Sequence, residues 1–151
     1  MKKFKAYYLL LISSLILLIL GFLVGEETFD INVHDTYYVI ANCHLYWLFS
    51  SLLFIIFIFY FLLNLIKIEL NRIISKIHIF GTIISIILLI FPYSLFDNPK
   101  EFPLYDSFEY INIVLTVSFL VLLFLQLLFI INIFVSLIKK IKSLRASRLH
   151  K

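Results

Sequence analysis

The chain has 151 residues, of which 63% are hydrophobic, 18% aromatic and 15% charged. Soluble domains carry roughly 25% charged residues, so this balance and a mean hydropathy of +1.07 exclude a water-soluble globule and point to a single membrane-embedded unit. A net charge of +4 raises nucleic acid as a partner, but the placement of the charges argues against it. Of the 13 basic residues, 12 fall before the first apolar run, between the second and third, or after the fourth, and only Lys100 falls elsewhere. The acids show the opposite bias, with Glu69 the single exception. Such asymmetry is an orientation signal that puts both termini in the cytoplasm, with some affinity for anionic headgroups as a corollary.

Lys2, Lys3 and Lys5 open the chain, followed by an apolar run over 6–24. A basic start and an apolar run also describe a signal peptide. This run has the length of a full span, and the stretch across its end, Gly21-Phe22-Leu23-Val24-Gly25-Glu26-Glu27, lacks a small-x-small cleavage site, so a retained helix is expected. An acidic outer loop follows over 25–36, then a second span over 37–66 that exceeds the ~20 residues a bilayer requires.

The basic inner loop 67–76 leads to a third span over 77–96, which Pro92 is expected to kink or end. Asp97-Asn98-Pro99 and Pro103 break the chain in a second outer loop over 97–111. A fourth span covers 112–138, and a basic tail over 139–151 closes the sequence. Runs of this length without alternation are helices, since in lipid only helices and closed barrels satisfy the backbone. The expected fold is therefore all-α: one polytopic domain of four transmembrane helices in an antiparallel bundle. Most tyrosines and Trp47 sit near the ends of the spans, where amphipathic rings anchor. Cys43 is the single cysteine, so an internal disulfide is impossible.

The most informative stretch is His34-Asp35-Thr36-Tyr37-Tyr38-Val39-Ile40-Ala41-Asn42-Cys43-His44. It resembles the segment of haem-copper oxidase subunit I that supplies axial histidines to both haems, His-Asp-Thr-Tyr-Tyr-Val-Val-Ala-His-x-His. Further matches follow in order. Phe29-Asp30-Ile31 stands where the family has Leu-Asp-Ile before the motif. Lys76-Ile77-His78 and Phe91-Pro92 match the start and end of the next family helix. Pro99-Lys100-Glu101-Phe102, Tyr105-Asp106 and Asn112 match the loop into the last one. The resemblance covers about residues 25–138 and implies the C-terminal four-helix portion of cytochrome c oxidase subunit I, degenerate in its haem ligands.

Residues two apart on a helix lie roughly 200° apart, so positions 42 and 44 face opposite ways. The resemblance implies that this pair holds two haems on either side of one helix. Asn42 stands at the first ligand position, and an amide is a poor substitute for imidazole. His44 keeps the second position and is the candidate axial ligand of a haem. Its partner histidine and the copper-site histidines belong to earlier family helices and have no counterparts in this sequence. The family's propionate-binding arginines become Lys100 and Glu101, which cannot reproduce the bidentate fork.

His34 and Asp35 match a pair near the family's magnesium region and are weak metal candidates; a loop-capping role is the plainer reading. The plain reading of His44, and of Asn42, Asn64, Thr116, Ser118, Gln126 and Asn132, is hydrogen bonding between helices. No catalytic residue is expected. The overall expectation is a bacterial plasma-membrane protein without oxidase activity of its own, an accessory or interaction component of a respiratory complex or a homodimer. The alternative is a haem-binding electron carrier in which His44 ligates together with a second chain. A transporter has little support, because no span holds an internal charge or a broken pair of half-helices.

Overall fold

The computed structural model describes residues 6–25, 28–33, 36–92 and 105–149, of which 29–38, 105–109, 143–144 and 146–149 are described by backbone only. In chain order the elements are α1 (Tyr8–Leu23), β1 (Thr28–Val33), β2 (Thr36–Ala41), α2 (Asn42–Leu65), α3 (Arg72–Leu89) and α4 (Tyr105–Leu149). They form two units, Met1–Lys67 and Ile68–Lys151. Among the described residues, the regular structure is helical except for one small antiparallel ribbon.

Three helical stretches are long and apolar enough to cross a membrane: Asn42–Leu65, Arg72–Leu89 and Tyr110–Lys142, the last lying within α4. The first helix is apolar but shorter, at 16 residues. That gives it a rise of about 24 Å, against a hydrocarbon core of about 30 Å. The described apolar surface fits a lipid environment. Phe22, Leu23 and Ile73 are each more than 70% exposed, a poor arrangement in water and an ordinary one among lipid tails.

In the first unit, α1 and α2 pack antiparallel along a narrow stripe. Tyr7, Leu10, Ser14, Leu17 and Gly21 recur at alternating three- and four-residue steps and are all buried. Facing them on α2 are Ser50, Leu53, Ile56, Tyr60 and Leu63. At the centre, Ser14 and Ser50 bond reciprocally: Ser14 Oγ donates to the Ser50 carbonyl at 2.9 Å, and Ser50 Oγ donates to the Ser14 carbonyl at 2.8 Å. Each serine thus finds its acceptor on the opposite helix. At one end of the stripe Tyr7 stacks on Tyr60 with ring centroids 6.4 Å apart.

At the other end Gly21 lets Trp47 lie against the backbone of α1. A Cβ at position 21 would stand 2.5 Å from Trp47 Cδ1 and Nε1. Lys67, just beyond α2, has a left-handed φ of 57° and donates its N–H to the Asn64 carbonyl at 3.1 Å, ending the helix.

The ribbon between these helices pairs Thr28 with Ala41 through Val33 with Thr36. Here the structure differs from the expected loop over 25–36 and from a helix opening at Tyr37. Thr36-Tyr37-Tyr38-Val39-Ile40 is a run of β-branched and aromatic residues that favours a strand, and apolar length alone cannot tell a strand from a helix start. The helix begins only at Asn42.

In the second unit α3 and α4 also pair antiparallel. The Asn71 side chain caps α3, accepting from the Ile73 and Ile74 N–H groups at 3.0 and 3.4 Å. The helix ends at Leu89, before Pro92, as expected of a residue that lacks an N–H. The fourth helix runs 45 residues, about 68 Å at the α-helical rise. The expected span over 112–138 lies inside it, and the basic tail continues it through Leu149.

The close approach at Gly21 generates a test. Gly21→Ala forces the Trp47 ring to move and is expected to destabilise the first unit by about 1–3 kcal/mol, measured by SDS-driven unfolding in mixed micelles. In a Trp47→Ala background the same change should cost little; additive losses would contradict the contact.

Candidate functional site at the ribbon–helix junction

Of the residues singled out by sequence, Asn42, Cys43 and His44 are described; His34, Asp35, Lys100 and Glu101 lie outside the described residues. The ribbon fixes where the junction falls. Ala41 is still extended, with ψ 131°, and the chain turns helical at the next residue. Asn42 and His44 are therefore the first and third residues of α2, at its end rather than about two turns inside it. The five residues expected to begin the helix are spent in β2.

His44 is exposed, and Asn42 and Cys43 are half-buried. The His44 ring meets Trp47 edge-on, with centroids 5.6 Å apart and planes at 69°. Trp47 in turn lies over Gly21 and packs against Phe22, centroids 5.3 Å apart. The α1–α2 stripe thus positions Trp47, and Trp47 meets one edge of the exposed His44 ring.

In the second unit a buried polar cluster appears that includes His78, which the sequence reading placed at the start of the third span. In the structure it is the seventh residue of α3 and fully buried. Its Nε2 lies 3.2 Å from Gln126 Oε1, and its ring stacks on Phe129 with centroids 4.5 Å apart and planes at 11°. The Gln126 amide also donates to Thr82 Oγ1 at 3.4 Å. Further along the pair, Asn132 Nδ2 donates to Ser75 Oγ at 3.2 Å and Asn132 Oδ1 accepts from the Asn71 N–H at 3.1 Å.

Gln126 and Asn132 therefore make the hydrogen bonds between helices expected of them. Ser118 is buried, whereas Asn64 and Thr116 are exposed. A signal for His78 was present in the sequence. Asn71, Ser75, His78, Thr82 and Ser85 recur at steps of four and three, which puts them on one helix face.

Among the described residues, His44 is the only histidine of the first unit and His78 the only one of the second. A low-spin haem of the bis-histidine type takes two imidazoles. His78 is buried against Gln126 and Phe129, while His44 is exposed. The described donor set of either unit does not fit a haem held by that unit alone. Of these two histidines, His44 is the exposed one.

This chain is similar to cytochrome c oxidase subunit 1 of Synechocystis sp., with 31% identity over 131 residues covering 83% of this chain. This similarity and the apolar helices fit a membrane protein that resembles that subunit. The chain spans about a quarter of that relative, 24% of its length. No family model matches the chain, and no solved structure matches it.

The polar cluster generates a test by substitution. Gln126→Leu leaves the buried His78 without its amide partner and is expected to cost about 1 kcal/mol, measured by SDS-driven unfolding. Thr116→Ala, at an exposed position, should cost less than about 0.5 kcal/mol. Equal losses at the two positions would contradict the cluster.

Proposed function

We propose that this chain is a plasma-membrane protein of bacterial type, with both termini cytoplasmic, that corresponds to the C-terminal four helices of cytochrome c oxidase subunit I. In this reading its four helices come together as one bundle. It performs no oxygen reduction by itself and acts as an interaction or accessory component of a respiratory complex. One observation carries the reading: the similarity runs over 83% of this chain, across helices and loops alike, while the ligand residues depart from the family's pattern. Asn42 stands where the family has an imidazole, and Lys100-Glu101 where it has two arginines. An amide is a poor iron ligand, and a glutamate repels a propionate, so the scaffold is kept where the chemistry is not. A surface kept without its cofactor chemistry serves for docking against other subunits.

Affinity purification of the full chain in mild detergent tests this. Recovery of respiratory-complex subunits is the expected outcome. Recovery of other specific partners without any respiratory subunit would refute the reading.

The exposure of His44 favours a second reading, in which two chains, or this chain and a partner, each give one histidine to a haem that carries electrons. When bound, such a haem supplies one-electron transfer; His44 would hold it, with Trp47 fixing the ring's orientation. Absorption spectroscopy of protein expressed with ample haem decides between the two. A Soret band lost in His44→Ala supports haem binding, and the absence of a Soret band rules it out.

A further inference from the structure

The fourth helix carries its charge in two blocks. Asp106 and Glu109 lie in its first turns, and Lys139, Lys140, Lys142, Arg145 and Arg148 lie in its last three. The backbone stays helical through all five basic residues. Antiparallel pairing brings the start of α3 to this same end, since Asn71 bonds Asn132 and Arg72 follows directly. Lys139 stands about 10 Å further along α4 than Asn132. Arg72, Lys139, Lys142 and Arg145 are exposed. The acid of the second unit at this end is Glu69.

Successive helical residues turn by about 100°, so the five basic residues of α4 are spread around the whole axis and not along one side. A helix lying flat on a membrane gathers its charges on one face and its apolar residues on the other. Here Ile138 and Ile141 are about half exposed, among the lysines. A collar of this kind suits a helix that leaves the bilayer steeply and meets headgroups on every side. The rise from Lys139 to Lys142 is about 4.5 Å, which matches the interfacial layer of about 5–7 Å on each side of the hydrocarbon core. The stems of the lysines can lie along the apolar helix while their ammonium groups reach phosphate.

We propose that this cationic end of the α3–α4 hairpin binds the headgroups of anionic phospholipids and enriches them around the helix. The collar continues an apolar helix long enough to cross the bilayer, which fixes its height at the phosphate layer. That continuity favours lipid over nucleic acid or an acidic protein as the occupant.

The test uses the full chain purified into micelles containing equal amounts of phosphatidylglycerol and phosphatidylcholine, followed by analysis of the lipids retained after gel filtration. Phosphatidylglycerol should be enriched several-fold at low salt, with the enrichment shrinking as salt is raised. Each basic residue near the surface contributes about a fivefold factor, so Lys139→Gln/Lys142→Gln should remove most of the enrichment. Lys139→Arg/Lys142→Arg should retain it, with helicity by circular dichroism unchanged in both. Three results would overturn the proposal: equal retention of the two lipids, undiminished enrichment in the glutamine variant, or displacement of the lipid by nucleic acid at equal phosphate concentration. Loss of enrichment in millimolar inorganic phosphate would equally overturn it, by showing a site for the free ion.

Discussion

Polar groups inside a bilayer must find partners within the protein, and this constraint organises everything else in the chain. Lipid tails are as apolar as leucine, so hiding leucine from them gains little; packing, small residues and hydrogen bonds decide which helix faces meet. The first hairpin follows the rule with two serines, each bonding the other's carbonyl, and with a glycine that admits a tryptophan ring. The second follows it with a longer ladder, in which Gln126 serves His78 and Thr82 while Asn132 serves Ser75 and the first turn of α3. Most other large side chains on the described helices are left to face outward, and in lipid this costs nothing.

The motif that carries the resemblance lies apart from these locks. Its described residues run from β2 into the first turn of α2, so the same residues that mark the resemblance also set where the helix begins. Within it the imidazole at position 44 is held by Trp47, and Trp47 depends on Gly21. The orientation of the His44 ring is therefore tied to the packing of α1 on α2. The two histidines of the described helices illustrate the difference: His78 contributes to holding a hairpin together, while His44 faces outward.

Much of this was legible in the sequence, for definite reasons. Long apolar runs specify membrane helices because the bilayer thickness sets their length, and the end of α3 before Pro92 follows from proline's missing N–H. The ribbon was not read, because Thr36 to Ile40 is apolar enough to pass for a helix start and its pairing with Thr28–Val33 is set by partners distant in sequence. For the same reason His44 stands at the end of α2 and not the two turns inside that a helix starting at Tyr37 implies. A histidine near the start of an apolar run shows no burial by itself; the spacing of Asn71, Ser75, Thr82 and Ser85 around His78 carries that information. Gln126 and Asn132 were legible as polar residues in a span, but not their partners, since register between two helices depends on both.

Cross-linking of paired cysteines in native membranes tests the central claim, that buried polar pairs set the register of each hairpin. In a Cys43→Ser background, Ser14→Cys with Ser50→Cys, and Ser75→Cys with Asn132→Cys, should form disulfides readily on mild oxidation. Pairs on the same faces but two turns out of step, Tyr7→Cys with Ser50→Cys and Thr82→Cys with Asn132→Cys, should not. Equal yields from matched and shifted pairs, or disulfides only from the shifted ones, would contradict the account.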